Sequence, residues 1–240
     1  MTDVALEARR DLAAVLRWSD RFGLSEGICN HFSYAIDDDH FLVNPWGYHW
    51  SQIRASDLVL VDHAGNVVEG DGEIETSALS IHSGIHRGHP NARCVLHTHM
   101  SYATAIACLE GGRLLMVSQN AARYFDDVAY MEDFGGLALD ESEGDSICRA
   151  FDGKRILFHA NHGVMVVGET IAQAFDDLYY LERACKVQVL AQSTGQPLKI
   201  IDDETARLTA AQFREYTTLA RDHLSALRQV LDRECPEYLD

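Results

Sequence analysis

The sequence predicts one α/β or α+β domain, and three observations carry that expectation. Its 240 residues suffice for one sizeable core and show no composition break that would divide them. Short runs of alternating apolar and polar residues, separated by turn residues, mark antiparallel strands in the first half. Apolar side chains at helical spacing mark helices at the start, between the strands and through the last third.

The elements follow in order. Residues 4–22 repeat Ala5, Ala8, Leu12, Val15, Leu16 and Phe22 on a helical face, with Gly23 at the C-terminal cap. A small-residue loop from Ser25 leads into a strand that continues to Ile36. Asp37 to Asp39 turn the chain into Phe41-Leu42-Val43, and that hairpin ends at Asn44-Pro45-Trp46-Gly47. Residues 58–61 and 66–69 flank Asp62-His63-Ala64-Gly65 as a second hairpin. Thr76 or Ser77 caps a helix that ends near His89-Pro90. A buried strand occupies residues 92–100, and Ser101 caps a helix over 102–109. Residues 114–117 and 128–130 are short strand candidates, and 140–151 reads as a helix. Apolar strands at 155–159 and 164–167 surround Ala160-Asn161-His162-Gly163; Thr170 opens a helix through 192, and a last helix covers roughly 204–233.

Composition excludes several classes of function. A formal net charge of -17 repels a phosphate backbone, and the only lysines, Lys154, Lys186 and Lys199, form no basic cluster, so nucleic acid is not expected as a partner. Residues 1–10 lack the apolar core of a signal peptide, and no apolar stretch has membrane-spanning length, which points to the cytoplasm and to no membrane partner. The six cysteines lack paired spacing and read as reduced thiols. Twelve histidines support metal or acid-base chemistry.

The chemistry concentrates in residues 92–100, where an apolar run ends in His97, Thr98 and His99. Side chains two apart on a strand share a face, so His97 and His99 can reach one ion. A metal needs a third ligand. The polar Asn161-His162-Gly163 turn lies between two apolar runs, where Gly163 lets the backbone turn sharply and leaves His162 projecting as that ligand.

With these histidines assembled, the chain resembles the class II aldolase/adducin family from about residue 12 to 195. The resemblance rests on His-x-His at a strand end, a histidine before glycine about sixty residues later, the Thr76-Ser77 loop and the loop from Gly27 to Asn30. Asn44-Pro45-Trp46-Gly47, residues 53–61 and Ile81-His82-Ser83-Gly84-Ile85-His86 look closest to the adducin-like branch. It implies a single-domain three-layer sandwich over 1–240, with a central mixed, largely antiparallel sheet flanked by helices, a core at 12–195 and a C-terminal helical extension at about 203–233. It also implies a homotetramer acting on a small molecule.

Carried over, the resemblance makes His97, His99 and His162 the metal ligands. Three neutral imidazoles with open positions describe a catalytic ion: Zn2+ first, with Mn2+ and Fe2+ as alternatives. The Thr76-Ser77 loop and Asn30 match positions where family aldolases bind phosphate, and His31 is a further substrate-binding candidate, but Gly27 and Cys29 stand where family members often place threonine and glycine, which weighs against a phosphorylated substrate. The larger departure is Ala78, where family aldolases carry the glutamate that shuttles the proton and the epimerase an aspartate. Gln119 falls near the catalytic tyrosine of the aldolases.

His82, one helical turn beyond Ala78, is the best stand-in as acid-base group, with Glu75 and His31 behind it; the alternative for His82 is a hydrogen-bonded packing histidine. Tyr124 and Arg123 could supply an acid and a carboxylate clamp, against core and surface ion-pair roles, and Cys94 reads as core. The expectation is a metal-dependent lyase that cleaves a C–C bond next to a carbonyl through a metal-stabilised enolate, on a small oxygenated or aromatic acid. With Ala78 in place of that carboxylate, weight shifts from ordinary retro-aldol cleavage toward decarboxylation, which needs no base, or toward an aldolase with a relocated base. The alternatives are a non-catalytic adducin-like assembly module and, third, an iron-dependent oxygenase.

Overall fold

The computed structural model describes residues 3–138 and 140–240. After the first helix, α1 (Asp3–Arg21), come β1 (His31–Ala35), β2 (His40–Val43), β3 (Val59–Asp62) and β4 (Val67–Glu69), each antiparallel to its predecessor. Next are α2 (Thr76–Gly88), β5 (Cys94–Thr98), α3 (Ser101–Ala107), α4 (Gln119–Ala122), β6 (Val128–Met131), α5 (Glu141–Ala150), β7 (Ile156–His159) and β8 (Gly163–Gly168). Three helices finish the chain: α6 (Ile171–Gln192), α7 (Asp203–Glu215) and α8 (Leu219–Glu234).

The strands form one eight-stranded sheet in the order β4-β3-β2-β1-β5-β8-β7-β6, antiparallel except between β6 and β7. Its central strands are buried on both faces, which explains why β5 and β8 read as continuous apolar runs. Cys94, Leu96, Val164 and Val166 face one core with α1, α3 and α6. Val95, Met165 and Val167 face the other, with Ile81 and Ile85 of α2 and Ile147 of α5. The result is the helix–sheet–helix sandwich that the sequence predicts. Helices α2 and α5 cross at glycines: a Cβ on Gly144 would stand 2.1 Å from the Ser80 carbonyl oxygen.

Several local expectations are corrected. Residues 114–117 join no ladder; the Leu114 and Leu115 amides donate to the Tyr130 hydroxyl and Gln188 Oε1, so side chains satisfy that backbone. Glu75, not Thr76 or Ser77, caps α2 by accepting from the Ala78 amide at 3.0 Å. Ser101 caps nothing: the first-turn amides of α3 at Tyr102 and Ala103 donate to the Glu182 carboxylate of α6. The last predicted helix is two, broken at Tyr216, Thr217 and Thr218, a run of weak helix formers. Arg123 is no surface partner, since it is buried in ion pairs with Asp176 and Asp177 of α6. Among the described residues no helix is long and apolar enough to cross a membrane.

Candidate metal centre

The register of three strands builds the site at one sheet edge. His31, which opens β1, pairs with His97 near the end of β5, and Thr98 pairs with Val164 at the start of β8. The β7–β8 turn then brings His162 over the end of β5. Asn161 makes that turn in the left-handed region at φ 57°, a conformation that asparagine tolerates. Gly163 is therefore not the sharp bend the sequence suggests. Its role is close approach: a Cβ there would lie 2.5 Å from the Thr98 carbonyl oxygen and 2.9 Å from His99 Cδ2.

His97, His99 and His162 converge. Their candidate ligand nitrogens lie within 4.8 Å of one another, and the His97 and His99 Nε2 atoms are 3.1 Å apart. Each Nδ1 is already committed. His97 Nδ1 donates to the Val164 carbonyl at 3.0 Å, and His99 Nδ1 donates to the Glu26 carboxylate at 2.5 Å. His159 Nε2 donates to the Asp133 carbonyl at 3.2 Å, so its Nδ1 accepts from His162 Nδ1 at 3.0 Å. These bonds fix three tautomers and leave three Nε2 lone pairs pointing inward. Burial and neighbouring imidazoles push His97 well below the usual histidine range and His162 down to about 3. Neutral nitrogens with oriented lone pairs are what a divalent ion requires, so the residues fit the metal.

A second histidine cluster backs the first. The His31 ring lies 4.9 Å from that of His97 and 4.8 Å from that of His82. His86 Nδ1 donates to the Ala92 carbonyl at 2.7 Å, leaving Nε2 to accept from Ser33 Oγ at 2.7 Å. Ser33 Oγ then accepts from His82 Nδ1, and His82 Nε2 accepts from His31 Nδ1 at 2.7 Å. With every ring neutral, His31 must present a lone pair on Nε2. Burial holds it neutral, lowering its pKa to about 3.

The remaining candidates separate. His82 is fully buried behind His31 and hydrogen-bonded to His31 and Ser33, with no contact to a triad ring among the described residues, so it takes the hydrogen-bonded role. Glu75 Oε2 sits 3.9 Å from His31 Nε2 and accepts the Ser77 hydroxyl, while Thr76 is exposed. Asn30, left-handed at φ 75°, accepts the His99 amide at 3.5 Å through Oδ1, and its buried Nδ2 has no partner. Ala78 is buried. Tyr124 is core: its hydroxyl donates to the Asp177 carbonyl at 2.7 Å, and burial raises its pKa well above the usual tyrosine range. Gln119 opens α4 and is exposed, with no hydrogen bond to the triad among the described residues. Sequence reasoning missed Glu26 and His159; the one signal was His159 three residues before His162.

Fold and site together define an α/β sandwich domain with a three-histidine centre at the edge of its sheet. Residues 10–189 match the family model "Class II Aldolase and Adducin N-terminal domain", and the chain belongs to that family. It is 33% identical over 204 residues to decarboxylase NovR of Streptomyces niveus, covering 83% of this chain and 75% of that protein. It is also 33% identical over 200 residues to alpha-adducin of Mus musculus, covering 80% of this chain but 27% of the relative. Among solved structures, an aldolase II superfamily protein from Pseudomonas syringae superimposes with a TM-score of 0.93 at 31% identity, covering 100% of this chain and 98% of that one.

Proposed function

We propose that the chain is a metal-dependent carbon–carbon lyase that acts on a small oxygenated or aromatic acid, with decarboxylation favoured over aldol cleavage. One observation carries the reading: three Nε2 lone pairs converge, and each opposite Nδ1 is tied to a different partner. A scaffold without an ion has no use for three imidazoles oriented in this way. Zn2+ is the first choice of ion; held by His97, His99 and His162, it would supply Lewis-acid stabilisation of charge on a carbonyl oxygen.

The surrounding residues take the remaining roles. The unpartnered Asn30 Nδ2 offers a donor beside His99 for a substrate oxygen. Buried Ala78 brings no proton-shuttling group, which favours loss of carbon dioxide, where no hydroxyl proton needs removing. His82 acts through His31 rather than on substrate. Similarity to NovR, a protein named a decarboxylase, supports the same direction. The alternative, a non-catalytic module of the adducin kind, draws on the alpha-adducin match, but the committed imidazoles favour the enzyme. A cytoplasmic homotetramer completes the proposal.

Metal analysis of untagged protein, followed by carbon dioxide release from a panel of hydroxylated and β-keto acids, tests it. The expectation is near-stoichiometric metal and gas from at least one acid. Less than about a tenth of an equivalent, with no gain on reconstitution, would overturn the enzyme reading. Aldehyde without gas would replace the decarboxylase by an aldolase. Uptake of dioxygen by the Fe2+ form would point to an oxygenase.

A further inference from the structure

Beside the triad, two hydrogen-bond acceptors face each other with no donor between them. His31 Nε2 and Glu75 Oε2 are 3.9 Å apart, beyond hydrogen-bond reach, and the His86–Ser33–His82 chain leaves Nε2 with a lone pair. The His31 side chain is only 8% exposed, and among the described residues its Nε2 has no hydrogen-bond partner. An acceptor beside a gap that solvent can reach is open to a donor from a ligand hydroxyl or a water.

The start of α2 points the same way. Its first-turn amides and a nearby hydroxyl are the donors an incoming anion would use. Here the chain's own carboxylate has taken them: Glu75 Oε2 accepts both the Ala78 amide and the Ser77 hydroxyl. A phosphate placed there would meet a carboxylate and a lone pair. An ammonium group would meet a divalent cation one imidazole away, since the His31 ring lies 4.9 Å from that of His97.

We propose that the gap between His31 and Glu75 is a subsite for a hydroxyl group of the substrate, with a second hydroxyl or a water serving the other acceptor, and that it excludes phosphate. This deepens the lyase reading, on which it rests for the position of the reacting carbon but not for its own binding chemistry.

Two arms test it. On metal-free protein, phosphorus NMR of inorganic phosphate should show no saturable binding to wild type and clear binding to Glu75→Gly, which frees the Ser77 hydroxyl and Ala78 amide while keeping an acceptable helix start. Saturable binding by wild type, or none by the variant, overturns the proposal. On Zn2+-loaded protein, calorimetry should show glycolohydroxamate binding about five- to tenfold tighter than its methyl ether, methoxyacetohydroxamate, the worth of one donated hydrogen bond. His31→Phe should erase that ratio and leave acetohydroxamate within about twofold of its wild-type affinity. Equal affinities in wild type, or a ratio that survives His31→Phe, overturn the proposal as well. Failure of all three hydroxamates to bind would refute the metal reading instead, and the phosphate arm would still decide the subsite.

Discussion

Replacing Gly163 by alanine should loosen the metal centre while leaving the sheet assembled. The added Cβ would sit 2.5 Å from the Thr98 carbonyl oxygen, where an ordinary carbon–oxygen contact is about 3.3 Å. The ends of β5 and β8 must therefore part by about 0.8 Å. The same methyl would stand 2.9 Å from His99 Cδ2, against about 3.5 Å for carbons in contact, so it pushes on a ligand ring as well as on backbone. Metal–ligand distances tolerate only about 0.2 Å. The expected result is a 10- to 100-fold loss of Zn2+ affinity, about 1.4 to 2.8 kcal/mol, with about 1–3 kcal/mol lost from the metal-free fold. Competition against a chromophoric chelator measures the first, and denaturant unfolding of the stripped protein the second. Wild-type affinity in the alanine variant would refute the close-approach account of this glycine.

Three further outcomes follow from the same geometry. Glu26→Gln removes the charge that holds His99 Nδ1–H and should weaken Zn2+ binding about tenfold or more; a chelator titration superimposable on wild type would reject that role. Arg123→Leu strips a partner from Asp176 and Asp177, both fully buried, and should cost about 3 kcal/mol in chemical denaturation, whereas a loss below about 1 kcal/mol would show the pair to be dispensable. His86 supplies a pH dependence. Burial lowers its pKa from 6.5 to about 4, so on acidification the unfolded chain takes up the proton first and stability falls between those two values. At pH 5 the loss from this one group is about 2 kcal/mol, and His86→Phe should lose correspondingly less than wild type between pH 7 and 5. Equal pH slopes for the two proteins would contradict the buried neutral state.

Much of this was legible because periodicity carries it. The continuous apolar runs of β5 and β8, the Asn161-His162-Gly163 turn and the spacing of His97 and His99 report local facts, and local facts survive in a sequence. What was hidden depends on register. Nothing in the sequence announces that His31 pairs with His97, yet that pairing decides that His31 meets the triad and that His82 stands behind it. Glu26 reaches His99 across 73 positions, and Glu182 caps α3 across about 80. The break between α7 and α8 is silent in the sequence for a different reason: three weak helix formers do not interrupt an apolar spacing, although the helix ends at them.

The two histidine clusters solve one electrostatic problem from opposite ends. An imidazole can ligate an ion or accept a hydrogen bond only through a nitrogen that carries no proton, so each ring is useful only if its proton sits on a known nitrogen. In the triad, the Val164 carbonyl, the Glu26 carboxylate and His159 each take one Nδ1 proton, so the lone pairs converge where an ion would sit. In the second cluster a single carbonyl, that of Ala92, sets His86, and the choice propagates through Ser33 and His82 to His31. Breaking that chain at Ser33 would let His82 reverse and turn His31 Nε2 into a donor toward Glu75. The character of the subsite beside the triad is thus fixed by a carbonyl three side chains away, even though Ala78 itself brings no polar group to that wall of the site.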